Sequence, residues 1–185
     1  KFQKALEIDP KYARAKIGEA TLLMRAEDAA GAIKLFDEAA QLNPTDITPA
    51  YAAAQIAQAA GDTAGARERL EAIVKREPGH AGSRNDLAWM LAQQNQDLDR
   101  ALALAEEAHR LDPSPEITDT LGYVLMQRGQ ADRAVELLEK AVAQRPDAPS
   151  IRYHLALALD RKGEKQRALE SLRQAIMQLR DTYPQ

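Results

Sequence analysis

The chain repeats itself every 34 residues, and this period constrains its fold more than any other feature of the sequence. A small residue recurs at that spacing, with leucines and a later alanine around it in the same register. The small residues are Ala20, Ala54, Ala88, Gly122 and Ala156. Such a period predicts an array of similar units, each of which buries its apolar face against its neighbours rather than in one globular core.

Each period predicts two antiparallel helices joined by a short turn. In the fourth period, apolar residues at helical spacing lead to a stop at Gly129, and a second helix is expected over about residues 132–145. Ser114 is expected to cap the first of these helices by accepting a backbone hydrogen bond. Pro115 follows it in the first turn, where its fixed φ suits a helix start.

The turn between the paired helices carries a glycine in three periods, at Gly61, Gly129 and Gly163. Glu27 takes that place in the first period and Asn95 in the third. The third period also has one extra residue in its turn, within 93–99, and the following loop is one residue shorter. The register therefore returns by the fourth period, and we expect the insertion to be absorbed locally.

The small residue, a second alanine twelve or thirteen positions later and a closing proline together resemble the signature of the tetratricopeptide repeat (TPR) family. The second alanines are Ala32, Ala66, Ala101, Ala134 and Ala168, and the prolines are Pro44, Pro78, Pro113 and Pro146. The family's tryptophan is missing from its usual place, and Trp89 lies one position after the small residue instead. The resemblance implies an all-α fold, a right-handed superhelical α-solenoid of antiparallel helix pairs.

Five TPR units are expected within residues 11–181, at about 13–44, 47–78, 81–113, 115–146 and 149–180, as a single solenoid domain. Residues 1–10 match the second helix of a preceding repeat whose first helix is missing. The last helix is not followed by the polar capping helix that arrays need for solubility. We therefore expect a segment of a longer protein, whose unfinished ends allow end-to-end self-association.

Composition excludes several classes of function. With 25 basic and 28 acidic residues the net charge is −3, which argues against a nucleic-acid partner. The chain has no cysteine, and it has no apolar run long enough to span a bilayer. His80, His109 and His154 lack metal-ligand spacing and are interpreted as ordinary surface histidines. No catalytic, cofactor-binding or metal-binding site is predicted, so we expect a protein that is not an enzyme.

A second stripe on the first helices is the predicted binding surface. If the small residue is position 8, then positions 4, 7, 8 and 11 pack on the second helix, and positions 2, 5, 9 and 12 form a neighbouring stripe. The family resemblance implies that this stripe lines a concave groove. The predicted groove residues are Tyr51, Gln55, Asn85, Trp89, Asp119, Tyr123, Met126 and Tyr153. Tyrosine and tryptophan suit a groove because they combine apolar area with a polar group, although packing between adjacent helices also accounts for their rings.

The sequence predicts a scaffold that binds a peptide segment of a partner protein in this groove. Acidic residues in the later repeats make an acidic C-terminal peptide a poor ligand. They are Asp86, Glu116, Asp119 and Asp160. Two alternatives stay open: a carbohydrate-contacting module of a polysaccharide-export machine, and a regulatory arm of a larger enzyme.

A narrower resemblance concerns the cellular setting. Residues 85–89, 119–123 and 151–156 are similar to the C-terminal repeats of TPR lipoproteins of the bacterial exosortase (PEP-CTERM) system. This resemblance implies a role in exopolysaccharide or protein sorting, in the periplasm or at the outer membrane. A cytoplasmic setting also stays open.

Overall fold

The computed structural model describes the backbone of residues 12–182 and the side chains of residues 12–180. Within this part of the chain the regular structure is entirely α-helical. The helices are α1 (Ala13–Arg25), α2 (Ala29–Leu42), α3 (Thr48–Ala59), α4 (Thr63–Arg76), α5 (Ala81–Gln93), α6 (Leu98–Leu111), α7 (Pro115–Gln127), α8 (Ala131–Gln144), α9 (Pro149–Lys162) and α10 (Lys165–Thr182). The predicted partial repeat over residues 1–10 lies outside the described residues.

The helices form two compact units, residues 1–78 and 79–185. The described part of unit one holds α1–α4, in which each helix packs on the next along the chain. The described part of unit two holds α5–α10, and there the first helices also touch one another: α7 packs against both α5 and α9. Helices joined by a turn of two to four residues pack side by side and so run antiparallel. The predicted all-α array of helix pairs is confirmed.

The five turns within the pairs share one backbone conformation, as the sequence predicts. Gly61, Gly129 and Gly163 have φ values of 83°, 77° and 89°, and Glu27 and Asn95 have 60° and 51°. This left-handed conformation suits glycine because a side chain at positive φ meets the neighbouring carbonyl. In each turn the residue that follows donates its N–H to a carbonyl five positions back, as Gln130 does to Leu125 at 2.9 Å. The turn thus closes the first helix and reverses the chain.

The extra residue of the third repeat is confined to its turn. Asp97 takes a second left-handed conformation, with φ 41°, directly before α6. Its carboxylate accepts the backbone N–H of Arg100 at 3.3 Å and so caps that helix. In the first two repeats, Asp28 and Asp62 cap the second helix in the same way. The insertion therefore lengthens the turn without changing how the next helix begins.

The small residue of position 8 is buried in every helix pair. Ala20, Ala54, Ala88 and Ala156 are at most 5% exposed. A Cβ atom built on Gly122 would lie 2.6 Å from Cγ of Leu138 on α8. That contact is far shorter than any carbon–carbon contact in a packed core. Position 8 therefore sets the separation of the helices in each pair.

Two expectations for the fourth repeat have different outcomes. Its second helix is Ala131–Gln144, within one residue of the prediction at each end. Ser114 does occupy the N-cap position of α7, but its side chain makes no capping hydrogen bond. The predicted capping role is wrong because the Ser114 hydroxyl donates instead to Asp112, at 3.2 Å. The Thr118 hydroxyl donates a hydrogen bond to the Ser114 carbonyl at 2.9 Å, and this bond fixes the backbone at the start of α7.

Ion pairs of a repeated kind join successive repeats within unit two. Arg133 pairs with Glu106, and Arg167 pairs with Glu139, so each second helix reaches the acidic residue of the one before it. At the end of α9, Lys162 pairs with Asp132 at 3.2 Å and with Glu164 at 2.9 Å. Hydrogen bonds to Glu164 and Asp132 raise the pKa of Lys162 above its ordinary value. With the exception of Lys162–Glu164, each of these ion pairs joins one repeat to the next.

Candidate binding cleft

The first helices of unit two bring three aromatic rings into one cluster. The Trp89 and Tyr123 ring centroids are 4.6 Å apart, and the His154 centroid lies 5.4 Å from the first and 5.2 Å from the second. The planes are tilted by about 50° in each pair, and the centroid distances are those of interacting aromatic rings. The phenol oxygen of Tyr123 accepts a hydrogen bond from Gln127 at 2.8 Å. The first helices of three successive repeats, α5, α7 and α9, are thereby joined through their side chains.

A buried polar pair lies beside this cluster. Nδ1 of His154 lies 2.8 and 2.9 Å from the two carboxylate oxygens of Asp119, and both side chains are 12% exposed. Because a carboxylate oxygen accepts hydrogen bonds, this geometry matches an Nδ1–H group that donates a hydrogen bond to Asp119. Each polar group satisfies the other in a site that water barely reaches.

The interpretation of His154 as an ordinary surface histidine is therefore wrong. Its ring lies among α5, α7 and α9 and bonds to Asp119, which is 35 residues earlier. That separation is one residue longer than the repeat, so position 5 of one first helix faces position 6 of the next. A helical wheel drawn for one repeat cannot show this offset, because the offset lies between the helices of two neighbouring repeats.

The other two histidines also have defined partners. Nδ1 of His80 accepts the backbone N–H of Ser83 at 3.1 Å and caps α5. The ring of His109 lies 3.1 Å from the hydroxyl of Thr118, which joins α6 to α7. Both histidines therefore have structural roles outside the aromatic cluster.

A cleft of about 350 Å³ opens across the same three helices. Its walls carry side chains that donate and accept hydrogen bonds, together with part of the Trp89 ring. The lining residues include Asn85, Trp89, Asp119, Thr120, Ser150 and His154, together with the charged residues Asp86, Glu116 and Arg145. Nδ2 of Asn85 donates to Asp86 at 3.2 Å, while its Oδ1 is buried and has no hydrogen-bond partner among the described residues. An acceptor in that state is uncommon in a folded protein and marks this wall of the cleft.

The predicted groove residues of unit two occupy different environments. Asn85, Trp89 and Asp119 line the cleft, and Tyr123 packs on two of its lining rings. Met126 is only 2% exposed, so it belongs to the core. Tyr153 is 46% exposed and lines a different opening, formed by α9 and α10.

Two further predicted groove residues lie in unit one. Tyr51 is half-buried and Gln55 is exposed, both on α3. Thr120 and His154 also line the cleft but lie outside the predicted stripe, because both stand at position 6. The signal that identifies them is a spacing of 35 residues, which joins position 5 of one first helix to position 6 of the next, as between Asp119 and His154.

Among residues 12–180, no group of three or more histidine, aspartate or glutamate side chains is arranged to hold a metal ion. None of the described helices combines the length and the apolar character that crossing a membrane requires.

The tandem helix pairs and the left-handed turn within each pair define the class of this protein: a helical repeat protein. Tetratricopeptide repeat models match residues 23–83 and 120–185, together more than half of the chain. The chain belongs to the tetratricopeptide repeat family.

One curated relative is TPR repeat-containing protein PA4667 of Pseudomonas aeruginosa. It is 28% identical over 149 residues, which are 80% of this chain and 25% of the relative. The chain thus spans about a quarter of that protein's length. The relationship supports the family and does not test the narrower resemblance to exosortase-system lipoproteins, which stays a prediction.

Solved structures share the fold. MamA from Desulfovibrio magneticus superposes with a TM-score of 0.77 at 20% identity, covering 92% of this chain and 97% of that one. The thermophilic TPR protein TTC0263 of Thermus thermophilus gives 0.69 at 26% identity, with 90% and 91% covered. YrrB, described as a TPR protein with an unusual peptide-binding site, gives 0.73 at 23% identity, with 96% and 91% covered.

Proposed function

We propose that this chain is a protein-interaction scaffold that binds an extended segment of a partner protein in the cleft of unit two. The TPR fold supports a scaffold for protein–protein interaction, and a solved relative of the same fold, YrrB, is described as having a peptide-binding site. The observation that carries the proposal is the cleft itself, which crosses three successive first helices and offers both donors and acceptors along its length.

The chemistry of the cleft favours a peptide backbone. An extended segment presents N–H and C=O groups at regular intervals, and it needs partners of both kinds. Ser150 and Thr120 carry hydroxyl groups on the cleft wall, and Asn85 carries an amide. The buried pair of Asp119 and His154 holds one wall in a fixed geometry, which lowers the entropy lost on binding.

The same geometry disfavours the carbohydrate alternative. A sugar ring stacks on an open aromatic face, and Trp89 is the tryptophan that would supply it. Tyr123 and His154 both pack against the Trp89 ring, at 4.6 and 5.4 Å between centroids. The Trp89 ring thus packs between helices instead of offering an open face to a sugar. Most of the residues that line the cleft are polar. Peptide recognition is the better match.

We further propose that the partner belongs to a bacterial envelope system for exopolysaccharide or protein sorting, which would place the protein in the periplasm or at the outer membrane. The support for this setting is the resemblance of residues 85–89, 119–123 and 151–156 to exosortase-system lipoproteins. Fractionation of cells that carry the full-length gene tests it. Recovery in the cytoplasmic fraction alone would contradict it.

The binding proposal is tested by blocking the cleft without disturbing the aromatic cluster. Ser150 is exposed on the cleft wall, so Ser150→Arg fills the opening with a long side chain while the core stays intact. Partner recovery in a pull-down from envelope extract is expected to fall at least about tenfold, which corresponds to about 1.4 kcal/mol of binding free energy.

The matched control is Ala143→Arg, which adds the same side chain at an exposed position on α8, outside the cleft. It should recover partner as the wild type does, and both variants should keep the wild-type circular dichroism spectrum. Equal recovery by all three proteins would place the contact outside the cleft.

A further inference from the structure

The charged side chains that line the cleft of unit two are mostly acidic. They comprise three carboxylates, one guanidinium and one imidazole, which belong to Asp86, Glu116, Asp119, Arg145 and His154. With histidine counted as neutral, the lining has a net formal charge of −2, compared with −3 for the whole chain of 185 residues. Negative charge is therefore concentrated in this opening, and a concave surface of one sign attracts ligands of the opposite sign.

The two basic side chains of the lining are already bound to carboxylates. Nη1 of Arg145 pairs with Glu116, and its Nε lies 3.5 Å from Oδ1 of Asp147, in the loop before α9. His154 donates a hydrogen bond to Asp119 from Nδ1. Both bases are thus held by acidic groups of this protein. An anionic ligand would have to displace these carboxylates, whereas a cationic ligand would add to them.

Hydrogen-bond donors on the cleft wall also have partners within the protein. Nδ2 of Asn85 donates to Asp86 at 3.2 Å, and the Thr120 hydroxyl donates to the Glu116 carbonyl at 3.3 Å. Oδ1 of Asn85, in contrast, is buried and has no hydrogen-bond partner among the described residues. Each carboxylate oxygen can accept more than one hydrogen bond. The wall therefore has acceptors to spare, which favours an occupant that supplies donors.

Part of the cleft lining is apolar. It consists of a portion of the Trp89 ring together with Ala148 and Ile151. An apolar surface next to carboxylates suits a side chain with a long hydrocarbon stem and a cationic end. Lysine and arginine are of this kind, because their stems pack on apolar surface while the charged end groups stay with polar partners. A tryptophan ring also attracts a nearby cation.

We propose that the cleft selects partner segments that carry a lysine or arginine side chain, whose stem packs on Trp89 and whose cationic group binds the carboxylates of the wall. This inference rests on the proposed function of the cleft and names the chemistry that its partner presents. The basic side chain supplies donors to a wall rich in acceptors, and it offsets the negative charge of the lining. Its hydrocarbon stem covers the apolar part of the lining.

The probes are short random linear peptides, displayed on phage and selected on the immobilised 185-residue chain. A parallel selection uses Ser150→Trp, which fills the opening from an exposed position without adding charge. Peptides that the wild type recovers and this variant does not are the cleft-dependent ones. We expect them to be enriched in lysine and arginine, and depleted in aspartate and glutamate, relative to the unselected library. Changing the selected basic residue to glutamine should weaken binding about tenfold at low salt.

Two substitutions at one ion pair have opposite expected effects on a selected peptide, measured by fluorescence anisotropy. Glu116→Gln removes a carboxylate from the wall and should weaken binding about fivefold at low salt, whereas Arg145→Gln removes the positive charge and should tighten it by a similar factor. Both effects should shrink at high salt. If the pair acted only by holding the wall in place, both substitutions would weaken binding. The control is Glu136→Gln, the same change at an exposed position on α8, which should leave the affinity unchanged.

Two results would overturn the selectivity for a basic side chain while leaving the proposed function of the cleft intact. The first is a set of cleft-dependent peptides without enrichment in lysine or arginine. The second is weaker binding of the selected peptide by both Glu116→Gln and Arg145→Gln. If Ser150→Trp removes no peptide from the selected set, the proposed function of the cleft fails, and the selectivity fails with it.

Discussion

Gly122→Leu is expected to lower the melting temperature by roughly 5–10 °C, corresponding to about 2–3 kcal/mol of unfolding free energy. A single Cβ atom at this position would already lie 2.6, 3.0 and 3.2 Å from three carbons of the Leu138 side chain. Leu138 is fully buried, so it has no open space into which it can move. The larger side chain must push α7 and α8 apart, and neighbouring helices that pack on them share the damage.

The matched control for this prediction is Gly79→Leu. A Cβ atom on Gly79 would have no neighbour within 4 Å, and its φ is not in the left-handed region. The free energy of unfolding should therefore change by less than about 0.5 kcal/mol. Thermal denaturation followed by circular dichroism measures both. An unchanged melting temperature for Gly122→Leu would mean that position 8 does not set the helix separation.

Removing the carboxylate of Asp119 is expected to lower the free energy of unfolding by about 1–3 kcal/mol. In Asp119→Ala, the Nδ1–H of His154 loses its acceptor while its ring stays largely buried beside Trp89 and Tyr123. A double-mutant cycle with His154→Ala isolates the interaction, and we expect a coupling energy of about 1–2 kcal/mol.

An exposed ion pair provides the comparison for that cycle. Arg110 and Glu107 pair on α6 with side chains 67% and 36% exposed. Their cycle should give a much smaller coupling energy, because water competes for both groups. Urea denaturation of the variants supplies all the values. Equal coupling energies for the two pairs would contradict the assignment of the Asp119–His154 pair as a buried contact that fixes the cleft wall.

The sequence predicts the helix pairs well because the features that define them are local. The left-handed turns at Glu27 and Asn95 are predictable even though neither residue is a glycine, since the register identifies the turn position. The close approach at Gly122 is predictable for the same reason, because the stripe that faces the second helix can be read from one repeat. In both cases the residues of a single repeat are enough to make the prediction.

The candidate site is less predictable because it depends on how neighbouring repeats are rotated. A helical wheel places Met126 in the groove stripe, yet it is buried as α9 packs against α7. The same rotation brings His154 at position 6 against Asp119 at position 5 of the repeat before it. Ser114 illustrates a second limit, since the competing acceptor Asp112 lies in the preceding loop, whose path the helix pattern does not specify.

The central claim, that the cleft of unit two is the partner-binding surface, is tested most directly by site-specific photo-crosslinking in cells that carry the full-length gene. A photoreactive amino acid is placed at Ser150 on the cleft wall in one strain and at Lys140 on α8 in another. Both positions are exposed, so the two probes are equally accessible. We expect a discrete covalent adduct at position 150, mapping to one short segment of the partner, and none at position 140. An adduct at position 140 with none at position 150 would contradict the account.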